Sequence, residues 1–159
     1  MQHIRDLPSG GWDLNGYFAY LEAIKQQLPE EVYAFASYRG NYDLTNHQSL
    51  HDAWLQSICV LEPAEGERAE IRRLEIQCRF LGPYHDRIIE LTYSDVRWYS
   101  LRHSLGGEAR SANSRGHGDM LIHEIRLGQD CIVHEMNFSD GAVFEIGFAG
   151  FEHTVTPRV

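Results

Sequence analysis

The residues in this chain whose types could do chemistry are its histidines and carboxylates. Nine histidines stand among 159 residues, and many have an acid beside them: His51-Asp52, His85-Asp86, His117 with Asp119, His123-Glu124 and His134-Glu135. Imidazoles and carboxylates are common metal ligands and proton carriers. Adjacent residues on a strand point to opposite faces, so such a dipeptide can hold one ion only where the chain turns. Only His85-Asp86 and His117/Asp119 fall in turn-like sequence. HExxH, Cys/His finger spacings and a facial-triad pattern are missing. So are GxxxxGKS/T, a GxGxxG after a strand and a GxSxG elbow. No residue is therefore assigned as catalytic or as a metal ligand, and no cofactor is called for. His51-Asp52, next to Trp54 at the mouth of a strand, is the best remaining enzymatic pairing, against a capping or turn role for Asp52.

The elements that must position these groups centre on Asp119–Ala149, which reads as three antiparallel strands: MLIHEIRL, IVHEMNFS and AVFEIGFA. Period-two alternation puts Leu121, His123, Ile125 and Leu127 on one face of the first strand. Ile132, His134, Met136 and Phe138 share a face of the second, and Phe144, Ile146 and Phe148 a face of the third. Keeping these apolar sets together fixes the register, because a one-residue slip turns a whole set into water. The first hairpin then needs a two-residue turn at Gln129-Asp130, pairing Ile125 with His134 and His123 with Met136. The second needs a three-residue loop, Ser139-Asp140-Gly141, with Gly141 left-handed and Met136 paired with Phe144.

On the reverse face this register lines up Glu124, Glu135 and Glu145 across three neighbouring strands. Like charges directly opposite one another destabilise a sheet. Arginines such as Arg126, a cation, a basic partner or water must relieve the row. The expectation is an acidic recognition surface made of Glu124, Glu135, Glu145 and Arg126, against a solvated face with local arginine partners. His123 and His134 fall on the apolar face as diagonal neighbours. They bind a metal or titrate near neutral pH, or they are hydrogen-bonded core or pocket-lining residues.

Elsewhere the chain opens with a polar lead, residues 1–12, broken at Pro8 and Gly10-Gly11. A helix is expected over about 13–28, with Leu14, Tyr17, Phe18, Leu21, Ile24 and Leu28 as its apolar stripe, Asp13 as N-cap and Pro29 as the stop. A β meander follows over about 31–156. Its strands are expected at 32–38, at 50–63 with an irregular start, over AEIRRLEIQCRFLG with Leu74, Ile76, Cys78 and Phe80 on one face, over RIIELTYS with Ile89, Leu91 and Tyr93 inward, and over VRWYSL. The stretch at about 103–118, HSLGGEARSANSRGHG, has no periodicity and is locally basic. Long loops of this kind are usually functional or disordered, and Arg110 and Arg115 could supply guanidinium groups to an anionic ligand. Together with His123, His134, His51 and Asp52 they are the pocket candidates.

One helix cannot cover seven to nine strands, so the sheet must curl or split into two packed layers. The expected class is α+β, mostly antiparallel β, a curled or two-layer meander with one N-terminal helix, in a single domain over 1–159. Hydrophobic content of 43% argues for a packed core. A net charge of −9 speaks against nucleic acid and favours a basic partner. Three separated cysteines, Cys59, Cys78 and Cys131, with no apolar leader and no membrane-length apolar run, fit a reduced cytoplasmic protein.

The motifs LHDAWL (50–55), LGPYHDRIIELTY (81–93) and VHEMNF (133–138) give the chain a look of small bacterial proteins that pair such motifs with a β-rich C-terminal half. In size and acidity it is similar to immunity proteins of bacterial toxin systems. That resemblance implies inhibitory binding of a toxin partner and carries over no catalytic residue. The leading expectation is a non-enzymatic binding protein meeting a basic protein through its acidic sheet face. The alternative is a small-molecule or metal-binding enzyme with a histidine-lined pocket, and a third reading is a homo-oligomer joined through a sheet edge.

Overall fold

The computed structural model describes residues 1–103 and 116–158. Arg110, Arg115 and most of the 103–118 loop therefore lie outside the described residues. The chain begins with a two-residue ribbon, β1 (Arg5–Asp6) and β2 (Trp12–Asp13), whose turn is made at Gly10 and Gly11, both with φ above +80°. Helix α1 (Asn15–Ile24) follows and tightens into a 3-10 turn over Lys25–Gln27. Its buried stripe is Tyr17, Leu21 and Ile24, continued by Leu28. The N-cap is Leu14, one residue after the expected Asp13, whose carboxylate accepts the Asn15 N–H at 2.9 Å.

The first departure from the sequence reading comes next. Residues 32–37 are not strand but most of a second helix, α2 (Glu30–Ser37), which Tyr38 ends in extended backbone. Pro29 turns the chain ahead of it, and Glu30 and Glu31 put negative charge at the positive end of the helix dipole. Val32, Phe35 and Ala36 are buried, a spacing of three and four that suits a helix. The run VYAFASY is too short to separate a period of two from one of 3.6, so the Pro-Glu-Glu start decides it. Among the described residues two α-helices, not one, cover the sheets.

Ten further strands follow among the described residues: β3 (Trp54–Leu61), a ribbon of β4 (Ala64–Glu65) and β5 (Ile71–Arg72), then β6 (Glu75–Leu81), β7 (Arg87–Ser94), β8 (Trp98–Arg102), β9 (Met120–Leu127), β10 (Ile132–Phe138), β11 (Val143–Phe148) and β12 (Gly150–Pro157). β3 starts at Trp54 because His51 and Asp52 form a turn, Asp52 having φ +64°. The main strands make two antiparallel four-stranded sheets, ordered β8-β11-β10-β9 and β12-β7-β6-β3. The chain passes between them twice, from β7 to β8 and, with a break at Ala149, from β11 to β12. The sheet thus splits, as one helical layer over so many strands requires. The expected inward residues are fully buried in the second sheet: Ile76 and Phe80 on β6, and Ile89, Leu91 and Tyr93 on β7.

The meander has the expected register. Gln129-Asp130 is the first turn, closed by the Gly128 N–H donating to Cys131 O at 2.8 Å, and Glu135 pairs with Glu124. Ser139-Asp140-Gly141 is the second, with Gly141 at φ +80°, and Met136 pairs with Phe144.

A free strand edge leaves a row of backbone groups without partners. At β9 the helical layer supplies them. Ile125 N–H donates to the Tyr17 hydroxyl at 2.8 Å, Leu127 N–H to the Tyr20 hydroxyl at 2.9 Å, and the Tyr42 hydroxyl donates to His123 O at 3.0 Å. Three phenols thus stand where a neighbouring strand would be. Tyr17→Phe should strand the buried Ile125 N–H and lower the unfolding free energy by about 1–3 kcal/mol. Tyr33→Phe, which loses only a bond to exposed Glu22, should change it by less than about 0.5 kcal/mol in the same urea titration.

Candidate functional site

Glu124, Glu135 and Glu145 stand side by side across β9, β10 and β11, as the register demands. They are not an open surface. The polar lead crosses this face, and Glu124 is fully buried beneath it. Its carboxylate accepts the backbone N–H of Gln2 at 2.9 and 3.1 Å, of His3 at 2.8 Å and of Ile4 at 3.0 Å. The expected acidic recognition face is therefore corrected at this residue: the acid is spent on the chain's own backbone. Glu135 is 8% exposed and lies 3.1 Å from Arg126 Nη1 and 2.6 Å from the Met1 amine. Arg126 Nη2 donates to Glu145 at 3.1 Å, and Arg102 stands 3.7 Å from the same carboxylate. Arg126 bridges two acids of the row and turns like-charge repulsion into a paired network.

The consequence for folding is direct. Glu124→Gln replaces one of the two acceptor oxygens by a donor, facing amides that also donate. It should cost about 2–4 kcal/mol in urea unfolding and remove hydrogen-exchange protection at residues 2–4.

His123 and His134 lie on the opposite face, both buried. His123 Nδ1 is 3.0 Å from His134 Nε2, and the Tyr93 hydroxyl is 2.7 Å from His134 Nδ1. Burial pushes the Tyr93 phenol well above its ordinary value, so it keeps its proton. The three side chains form one hydrogen-bonded chain, Tyr93–His134–His123, which ends at His123 Nε2, a buried atom with no hydrogen-bond partner among the described residues. The Tyr42 ring stacks on His123 at 4.8 Å, and Phe35 packs at 5.7 Å from His123 and 5.9 Å from His134. Burial, helped by His153 and His51, pushes His123 down to about 3. Burial and His123 push His134 down in the same direction. Titration near neutral pH, one of the sequence expectations, does not hold in the folded chain. Among the described residues no three histidine, cysteine or acidic side chains come together as a metal-holding group.

Both imidazoles titrate near the ordinary value of 6.5 once unfolded and far below it when folded. Between those values the unfolded chain binds more protons. Stability should be intact above about pH 6.5 and fall as the pH drops towards 3, by about 1.4 kcal/mol per unit for each histidine. Urea midpoints at pH 7.5, 6.0 and 5.0 should show this early loss. The imidazole carbon-bound proton resonances of both residues should stay fixed over that range while the chain is folded.

His51 and Asp52 do not join this group in a pocket. They pair with each other in the turn before β3, Nδ1 to Oδ1 at 3.0 Å, and Trp12 packs edge-on to His51. His85-Asp86 does lie in a turn, but Asp86 takes its partner from His47 at 2.8 Å, and that bond holds the Asp86 carboxyl below its ordinary range.

A groove of about 340 Å³ runs between α2 and β12, lined by Glu31, Ala34, Phe35, Tyr38, Phe151 and His153. Helix periodicity puts Glu31, Ala34, Phe35 and Tyr38 on one side of α2, and strand alternation puts Phe151 and His153 on one face of β12. Phe35 forms the floor, 4.9 Å from both Phe151 and His153. It separates the groove from His123 and His134, so of the histidines only His153 lines it. The Glu31 carboxylate has no hydrogen-bond or ion partner among the described residues. No protein-family model, curated protein or solved structure matches the chain. None of these groove residues was singled out from sequence, because reading 32–38 as a strand scattered them over two faces. The usable signal was Pro29-Glu30-Glu31, a helix start.

Proposed function

We propose that the protein is a non-enzymatic binding module for a basic protein partner, and that the partner's lysine or arginine side chain enters the groove between α2 and β12. The observation that carries this reading is the unpaired Glu31 carboxylate on the wall of an aromatic groove. A cationic side chain has an apolar stem and a charged head, and this lining suits both parts. Phe35 and Phe151 take the stem, the Tyr38 ring, 48% exposed, offers a cation–π face, and Glu31 offers the countercharge. Burial pushes the His153 imidazole below its ordinary value, so it adds no repelling charge at neutral pH.

The rest of the charge distribution supports the same partner. The protein carries 23 acidic and 14 basic side chains. Several of the basic ones are already committed, Arg126 to Glu135 and Glu145, Arg79 to Glu90, and Arg73 to Glu65 and Asp95. The free acid on the groove wall, Glu31, and the net charge of −9 therefore favour the approach of a basic surface. In this reading the basic partner of the sequence analysis stands, and its contact moves from the buried carboxylate row to the helix side. An immunity-type role, in which a toxin is held by stoichiometric binding, is the biological form the reading takes.

The test is an amide-resolved titration with a hexa-arginine peptide. Resonances of residues 31–38 and 151–153 should shift, Glu31→Gln should weaken binding about fivefold or more, and added salt should weaken it further. Shifts confined to other surfaces, or an unchanged affinity in Glu31→Gln, would refute the groove as the contact.

A further inference from the structure

The sheet edges of this fold are treated unequally. β9 is closed by the hydroxyls of Tyr17 and Tyr20 and by Tyr42. α2 packs against β12. β8 is five residues long and ends in Arg102. β3 has none of these protections. It runs eight residues, WLQSICVL, without a charge or a proline. Among the described residues its outer edge meets only a single bridge, Trp54 to Asp119, at its very start. Long uncharged edges are the ones that pair with another chain.

The pattern along β3 says which chain. A register shift between Leu55 and Ser57 leaves Ser57–Leu61 as the regular run, and Cys59 is its centre. Ile58 and Val60 pair with Cys78 and Ile76 of β6, so they lie on the core side of the sheet. Yet Val60 is 41% exposed and Ile58 only partly buried, so the core is left open at this border. Antiparallel self-pairing about Cys59 sets Ile58 of one copy opposite Val60 of the other, and the reverse, and so closes that border with matched apolar pairs. On the other face, Ser57 meets Leu61. Of the charges next inward on that face, Arg79 is paired with Glu90 at 2.6 Å, and Glu75, opposite Leu61, accepts a hydrogen bond from Gln77 Nε2 at 2.6 Å.

We propose that two copies of this chain join through β3, antiparallel about a two-fold axis at Cys59, into one eight-stranded sheet. This is independent of the groove: the dimer is apolar and opposed by the net charge of −9 on each chain. Salt therefore strengthens it, while salt weakens arginine binding.

The experiment is sedimentation velocity on the full chain across micromolar concentrations at low and high salt. A species of twice the 18.3 kDa chain mass is expected, more populated at high salt. Val60→Lys, a change at an exposed position, should leave the circular dichroism spectrum as it is and return the chain to monomer. A short bismaleimide, applied to a Cys131→Ser background so that Cys59 is the accessible thiol, should give a covalent dimer that Cys59→Ser abolishes; Cys78 is buried. A wild type that stays monomeric at every salt, a dimer that survives Val60→Lys, or a cross-link that survives Cys59→Ser would each overturn the proposal.

Discussion

The structure depends on one electrostatic constraint: three carboxylates held side by side on neighbouring strands of a sheet. Two unit charges about 5 Å apart repel by about 3 kcal/mol at an effective dielectric near 20. The fold meets that with fixed partners. Arg126 links Glu135 to Glu145, and the amides of Gln2, His3 and Ile4 converge on Glu124. Removing these partners would leave buried charge, which is why the polar lead cannot detach cheaply. The lead thereby becomes a covering layer for the meander. Ile4 sits in the core, and the β1–β2 ribbon delivers the chain to α1.

The opposite face solves a related problem with neutral groups. Two histidines in an apolar core would cost stability as ions, so they remain uncharged and are hydrogen-bonded to each other and to Tyr93. Aromatic rings close around them, Tyr42 on one side and Phe35 on the other. Phe35 then serves two places at once. It seals the histidine chain from solvent and floors the groove that α2 and β12 make. The same ring that keeps the histidines out of surface chemistry gives the surface an aromatic recess near a free acid.

Much of this was legible from sequence. The register of β9, β10 and β11, both turns, the alignment of Glu124, Glu135 and Glu145 and the neighbourhood of His123 and His134 all follow from period-two burial between short turns. Residues 32–38 are too few for their burial pattern to separate a strand from a helix, and the proline before two glutamates carries the decision. His51-Asp52 proved to be a turn, since aspartate accepts the left-handed conformation that ends an element.

What the sequence determined by itself was which side chains share a face, because alternation along a strand is set by bonds between adjacent residues. What only the tertiary structure decided was which of those faces meets water. Glu124 is silenced by residues 2–4, more than a hundred positions away in the chain. Glu31 meets His153 across a groove that neither segment forms alone. Coverage of this kind depends on how whole layers stack, and no local pattern encodes it.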